Sequence, residues 1–103
     1  MSAVLDNYAE QVSNGLKVYE NTPRLSHLIL GLNEEAGEVA GVLKKSQYAG
    51  NLLDFERLEE ELGDVLWYLQ GLCNCMGMTI ETLAKRNIEK LVKRRPDDYK
   101  LIP

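Results

Sequence analysis

Between Leu25 and Leu43 the apolar residues Leu25, Leu28, Ile29, Leu32, Ala36, Val39, Ala40 and Leu43 recur at i, i+3, i+4 and i+7 without a miss. That spacing lines up one stripe of an α-helix and is incompatible with the two-residue period of a strand. The pattern predicts a helix capped by Thr22, with Pro23 in the first helical position and an end near Lys45. Tyr48, Ala49, Gly50 and Asn51 then read as a break. A third helix is expected from about Asp54 to Met76, with Leu58, Leu62, Val65, Leu69, Leu72 and Met76 as its core face and Gly77 as its C-terminal cap. Thr79 caps a fourth, which carries Ile80, Leu83, Ala84, Ile88 and Leu91 and stops before Pro96. A weaker first helix spans roughly residues 3 to 18 through Leu5, Tyr8, Ala9, Val12 and Leu16. The fold class is therefore all-α, a four-helix-bundle-type single domain of antiparallel helices over residues 1–103.

A chain of 103 residues buries only about 60 to 70% of the surface its unfolded form exposes, so completion of the domain by a second copy is expected. The formal charge of −4 argues against duplex DNA as a partner. No apolar run is long enough for a membrane span, and the first residues lack the pattern of a signal peptide, so a cytoplasmic protein is expected. Cys73 and Cys75 lie two apart on a predicted helix and point away from each other, which excludes a disulfide scaffold. One is expected in the core and one partly exposed.

The acids carry the functional signal. Nine of the sixteen carboxylates fall between Glu34 and Asp64, and four form two i, i+3 pairs, Glu35 with Glu38 and Glu61 with Asp64. Such a pair places two side chains on one helix face, about 4.5 Å apart along the axis. A lone Glu-x-x-Glu usually marks a solvated face. Two pairs flanking the apolar stripes of consecutive antiparallel helices instead bring four carboxylates together. Ionised together they repel one another and need a counter-charge, and their hard oxygens suit Mg²⁺ or Mn²⁺. A di-iron bundle is excluded, because it needs Glu-x-x-His on two helices and the single histidine, His27, has no Glu at that spacing.

Six of the twelve basic residues lie between Lys85 and Arg95, opposed only by Glu89. Asn87, Lys90 and Arg94 share one face of the fourth helix and can hold phosphate oxygens. Basic residues at a helix C-terminus also complement its dipole, so this face alone has a structural explanation.

The stretch Gly31-Leu32-Asn33-Glu34-Glu35-Ala36-Gly37-Glu38-Val39, followed by Lys44-Lys45 and then Glu60-Glu61-Leu62-Gly63-Asp64-Val65-Leu66-Trp67-Tyr68-Leu69, resembles the MazG-type all-α nucleoside triphosphate pyrophosphohydrolases. The segment Asn87 to Pro96 is similar to their C-terminal helix, and the resemblance covers about residues 25–98. It implies Mg²⁺-dependent hydrolysis of a nucleoside triphosphate to the monophosphate and pyrophosphate, with Mn²⁺ able to substitute. Glu35, Glu38, Glu61 and Asp64 carry over as metal ligands. Asn87, Lys90 and Arg94 carry over as phosphate contacts, with Lys44 a weaker one, and Glu38 or Glu34 as the group accepting a proton from the attacking water. The family implies a homodimer or homotetramer. Two alternatives stay open: a superfamily relative acting on phosphoribosyl-ATP or on dUTP and dCTP, and a non-enzymatic helical oligomerisation module whose acids are only a solvated face.

Trp67 and Tyr68 are expected to pack in the core, while Tyr48, in a loop, is freer to meet a base. His27 falls opposite the apolar stripe and is expected on the surface, without a role.

Overall fold

The computed structural model describes residues 2–19 and 23–103. Among them there are four α-helices and no strand: α1 (Ala3–Leu16), α2 (Arg24–Ala49), α3 (Phe55–Cys75) and α4 (Ile80–Arg94), with a short 3-10 turn, Lys17–Tyr19, after α1. Among the described residues, no helix is long and apolar enough to cross a membrane.

Local chemistry sets the helix ends. Ser2, Asp54 and Thr79 each accept a backbone N–H three residues on with their side-chain oxygen, starting α1, α3 and α4. The expected Thr22 cap of α2 lies outside the described residues. Pro23 is the cap residue of α2 rather than its first helical residue, so the helix starts one position later than expected. The Pro23 carbonyl accepts from His27 N–H at 3.0 Å, and its side chain caps nothing. α2 also runs a turn further than expected, to Ala49, so Tyr48 is helical rather than in a loop. Gly50 at φ 67° stops it, and Gly77 at φ 66° follows α3 as expected; this left-handed geometry suits a residue without Cβ.

α2 and α3 are antiparallel. Leu28 packs on Gly71 and Gly31 faces Tyr68, so residue numbers rise along one helix as they fall along the other. A Cβ at Gly31 would run into the Tyr68 ring, so this glycine permits the close approach of the two helices. α1 lies against α3 through a polar clasp: Gln70 donates to Asn74, and Asn74 Nδ2 donates to Ala9 O and Ser13 Oγ, each at 2.9 Å. Val12, Leu16 and Leu28, at most 2% exposed, form the core where the three helices meet, with Tyr8, Tyr19, Trp67, Tyr68 and Leu72 packed around them. Cys73 is buried and Cys75 exposed, as expected.

The stripes read from the sequence coincide only in part with the faces buried within this chain: Leu28 is fully buried and Leu72 packs on the core, but other stripe residues are open. On α2 the buried residues are Leu28, Gly31, Val42 and Ser46, whereas Leu25, Ile29 and Leu43 are about half exposed. At 100° per residue the buried face is rotated about 80° from the apolar stripe. On α3, Leu62 and Met76 of the expected core are likewise exposed, and Glu61, Gln70, Gly71 and Cys73 are buried instead. α4 contributes no buried residue. The radius of gyration is 16.5 Å, against about 13 Å for a compact domain of this length. One chain therefore leaves its bundle open, with α4 lying outside the α1–α3 core.

Candidate metal centre between α2 and α3

The face that α2 turns toward α3 continues past Gly31 to Glu35, and the facing surface of α3 carries Glu61 and Asp64. Carboxylate oxygens of these three residues lie within 4.8 Å of one another. Glu61 is 9% exposed, Glu35 is half-buried and Asp64 faces solvent. Three of the four expected ligands thus converge across the helix pair. Glu38, one turn beyond Glu35, is exposed and outside this cluster, as is Glu34.

Burial raises the Glu35 carboxyl above its ordinary range, and the negative charges of Asp64, Glu61, Glu34 and Glu38 add to the effect. No cation appears among the groups acting on it. Arg57, one turn before Glu61, offers a partial counter-charge at 3.7 Å from its carboxylate. Three hard oxygen donors with unbalanced negative charge fit a small divalent cation.

Beside the carboxylates lies a cavity of about 350 Å³ lined by Tyr19, Glu35, Asp64, Trp67 and Tyr68. Trp67 and Tyr68 meet edge to face with centroids 5.1 Å apart. They pack on the core, as expected, and also wall this cavity. Burial raises the Tyr68 phenol, with Tyr19, Glu35, Glu34 and Asp64 adding to it; burial and then Asp64 raise that of Tyr8. His27 is not the surface residue expected. Its ring lies 4.2 Å from that of Tyr19 and 6.2 Å from that of Tyr68, and its Nε2 is buried with no hydrogen-bond partner among the described residues. The expectation used the apolar stripe as the inward direction; measured from the buried face, position 27 falls near Gly31 and Tyr68.

The expected phosphate contacts are not gathered at the carboxylates. Asn87, Lys90 and Arg94 are exposed along α4, and none of them lines the cavity. Lys44 lies about 180° around α2 from Glu35, with its ammonium 5.8 Å from the Tyr48 ring centroid. Tyr19 and Arg57 went unnoticed in the sequence. For Arg57 a signal was present, since it precedes Glu61 by four residues and so shares its face.

The fold and site define an all-helical protein with a three-carboxylate cluster between its two long helices. The family model described as the MazG nucleotide pyrophosphohydrolase domain matches residues 24–98, which contain that entire cluster, and the chain belongs to this family. It is similar to the Gene 37 protein of Mycobacterium phage L5, with 39% identity over 75 residues that cover 69% of this chain and 66% of that protein. No solved structure matches it.

Proposed function

We propose that the protein is a Mg²⁺-dependent nucleoside triphosphate pyrophosphohydrolase that releases a nucleoside monophosphate and pyrophosphate. The convergence of Glu35, Glu61 and Asp64 within 4.8 Å, with no full counter-charge, carries this reading. These three residues hold the cation, and Glu38 stands beside them one turn further along α2. When bound, the cation neutralises phosphate charge and acidifies a water. Glu38, or Glu34 beside the cluster, accepts the proton of the attacking water. Tyr19, Trp67 and Tyr68 restrict bulk water on one side of the carboxylates. Asn87, Lys90 and Arg94 supply positive charge and hydrogen bonds to phosphate oxygens.

The working form in this reading is a homodimer or homotetramer with sites shared between copies. The half-exposed Leu25, Ile29, Leu43 and Leu62 support it, because an apolar surface of this kind needs a cover. A nucleotide panel assayed with Mg²⁺ and with Mn²⁺, reading pyrophosphate against orthophosphate, tests reaction type and substrate together. Phosphoribosyl-ATP, dUTP and dCTP belong in that panel. Absence of cation-dependent pyrophosphate release from every nucleotide would overturn the proposal.

A further inference from the structure

α3 lies against one side of α2, while α1 and α4 pack on α3, so the far side of α2 is left open. There Leu30, Glu34, Gly37, Gly41, Lys44 and Tyr48 fall within about 40° of a single line along the helix, at 100° per residue. Leu30 is 69% and Tyr48 83% exposed, and Glu34 and Lys44 are exposed between them. A Cβ on Gly37 or Gly41 would meet nothing within 4 Å among the described residues. Gly31 is explained by the Tyr68 ring it faces. Gly37 and Gly41, each costing about 1 kcal/mol of helix stability against alanine, have no such reason inside the chain.

The order of these residues is palindromic about Val39. Gly37 and Gly41 lie two residues either side of it, Glu34 and Lys44 five, Leu30 and Tyr48 nine. A second α2 laid antiparallel over this face, with a two-fold axis at the level of Val39, sets glycine against glycine at the centre, Glu34 against Lys44 twice, and Leu30 against Tyr48 at both ends. The glycines let the two backbones come close. Neither Glu34 nor Lys44 has an ion-pair partner among the described residues, and the Lys44 ammonium rests 5.8 Å from the Tyr48 ring centroid. Beside Tyr48, a cavity of about 630 Å³ lined by Gly41, Lys44, Lys45, Tyr48 and Ala49 has room for Leu30 of the second copy. A parallel helix in register would oppose Glu34 with Glu34 and Lys44 with Lys44. Any other partner needs the same residues in reverse order, and α2 itself supplies them.

We propose that this face of α2 is a self-association surface whose occupant is the antiparallel α2 of a second copy of the chain. It is separate from the apolar stripe of Leu25, Ile29 and Leu43, which lies about 130° around the helix, so one chain can use both. With Leu30 and Tyr48 as its large apolar groups, one such contact is smaller than the roughly 1,200 Å² a stable interface needs. Two of them formed together, between two dimers built on the apolar stripe, reinforce each other. The contact therefore joins dimers into a tetramer and does not hold monomers together at micromolar concentration. Glu34 is drawn into the ion pair with Lys44, which leaves Glu38 as the proton acceptor; that consequence alone rests on the pyrophosphohydrolase reading.

Sedimentation velocity of the full chain across micromolar concentrations reads the assembly. Wild type is a tetramer. Gly41→Leu, whose new side chain meets nothing in its own chain and favours the helix, blocks the approach and leaves a dimer. Glu34→Lys and Lys44→Glu each set like charges together, weaken the dimer–tetramer equilibrium about a hundredfold and also give dimers. Mixed in equal amounts, those two chains pair Lys with Glu again and return to tetramers, which a loss of folding in either variant would not allow. The proposal is overturned if wild type is no larger than a dimer and Gly41→Leu leaves its mass unchanged, or if the mixture stays dimeric. A dimer that Gly41→Leu turns into monomer, while Ile29→Lys with Leu62→Lys leaves it intact, would keep this contact and reject the one built on the apolar stripe. None of these readings uses activity, so a chain that hydrolyses no nucleotide would leave the contact standing and reject the pyrophosphohydrolase reading alone.

Discussion

Glu35 on α2 and Asp64 on α3 bring carboxylate oxygens within 4.8 Å of each other across the helix pair, and Asp64 is the charge that most raises the Glu35 carboxyl. The folded chain without cation therefore binds a proton at Glu35 more readily than the unfolded chain, whose group keeps its ordinary value of 4.5. From that value up to the raised one the folded state holds more protons, so stability falls as pH rises through this window. Glu35→Gln removes the effect. Urea midpoints measured without divalent cations should show wild type losing ground to Glu35→Gln as pH increases from about 4 to about 7. The opposite trend would mean that Glu35 is not held against its acidic neighbours.

A bound cation reverses that repulsion, and the ligands differ from the proton acceptor in how they respond. Saturating Mg²⁺ or Mn²⁺ should raise the wild-type melting temperature, with about 2.7 kcal/mol of stabilisation at a hundred times Kd. Asp64→Asn and Glu61→Gln should lose most of that rise. Glu38→Gln, outside the three-residue cluster, should keep much of the rise yet lose about 10²- to 10⁴-fold in turnover. Thermal melts and pyrophosphate release on the same variants check this, and a Glu38→Gln protein with full activity would remove Glu38 from the chemistry.

Tyr68 lies over Gly31, where no Cβ fits. Gly31→Ala should therefore cost about 1–3 kcal/mol through overpacking, although alanine is the better helix former. The same substitution made in Tyr68→Ala should cost far less, because the obstructing ring is gone. A double-mutant cycle of denaturant midpoints reads this coupling. Additive effects would show that the helix approach is set elsewhere.

Much of this arrangement was legible in the sequence because it depends on local spacing. The four helices, the cap at Thr79, and the i, i+3 pairs that put Glu35 beside Glu38 and Glu61 beside Asp64 all follow from local spacing and turn chemistry. The direction of burial was not legible. The strongest apolar stripe of α2 suggested the inward face, but inside one chain α3 meets the adjacent face, through Leu28, Gly31 and Val42. Hydrophobic periodicity marks what is covered in the end, without saying by which neighbour. That rotation of about 80° is why His27 was expected at the surface and found beside Tyr19 and Tyr68.

The displaced stripes make the last prediction. On α2 the apolar stripe lies about 80° around the helix from Glu35, and on α3 it lies at a similar angle, in the same rotational sense, from Glu61. Because the helices are antiparallel, equal rotations emerge on the same side of the pair. Leu25 (51% exposed), Ile29 (53%), Leu43 (49%) and Leu62 (51%) therefore belong to one apolar face, opposite the side on which Lys45 lies. Burying each such side chain fully contributes about 1.5–3 kcal/mol, enough in combination to favour association of two copies through this face. Wild type should sediment as a dimer or tetramer, and the pair Ile29→Lys with Leu62→Lys should sediment as a folded monomer. Charges placed there leave the groove residues untouched, so cation-induced stabilisation should persist in the monomer wherever the cluster is complete within one chain. A wild type that is monomeric at micromolar concentration would show that this face is covered by something other than a second copy.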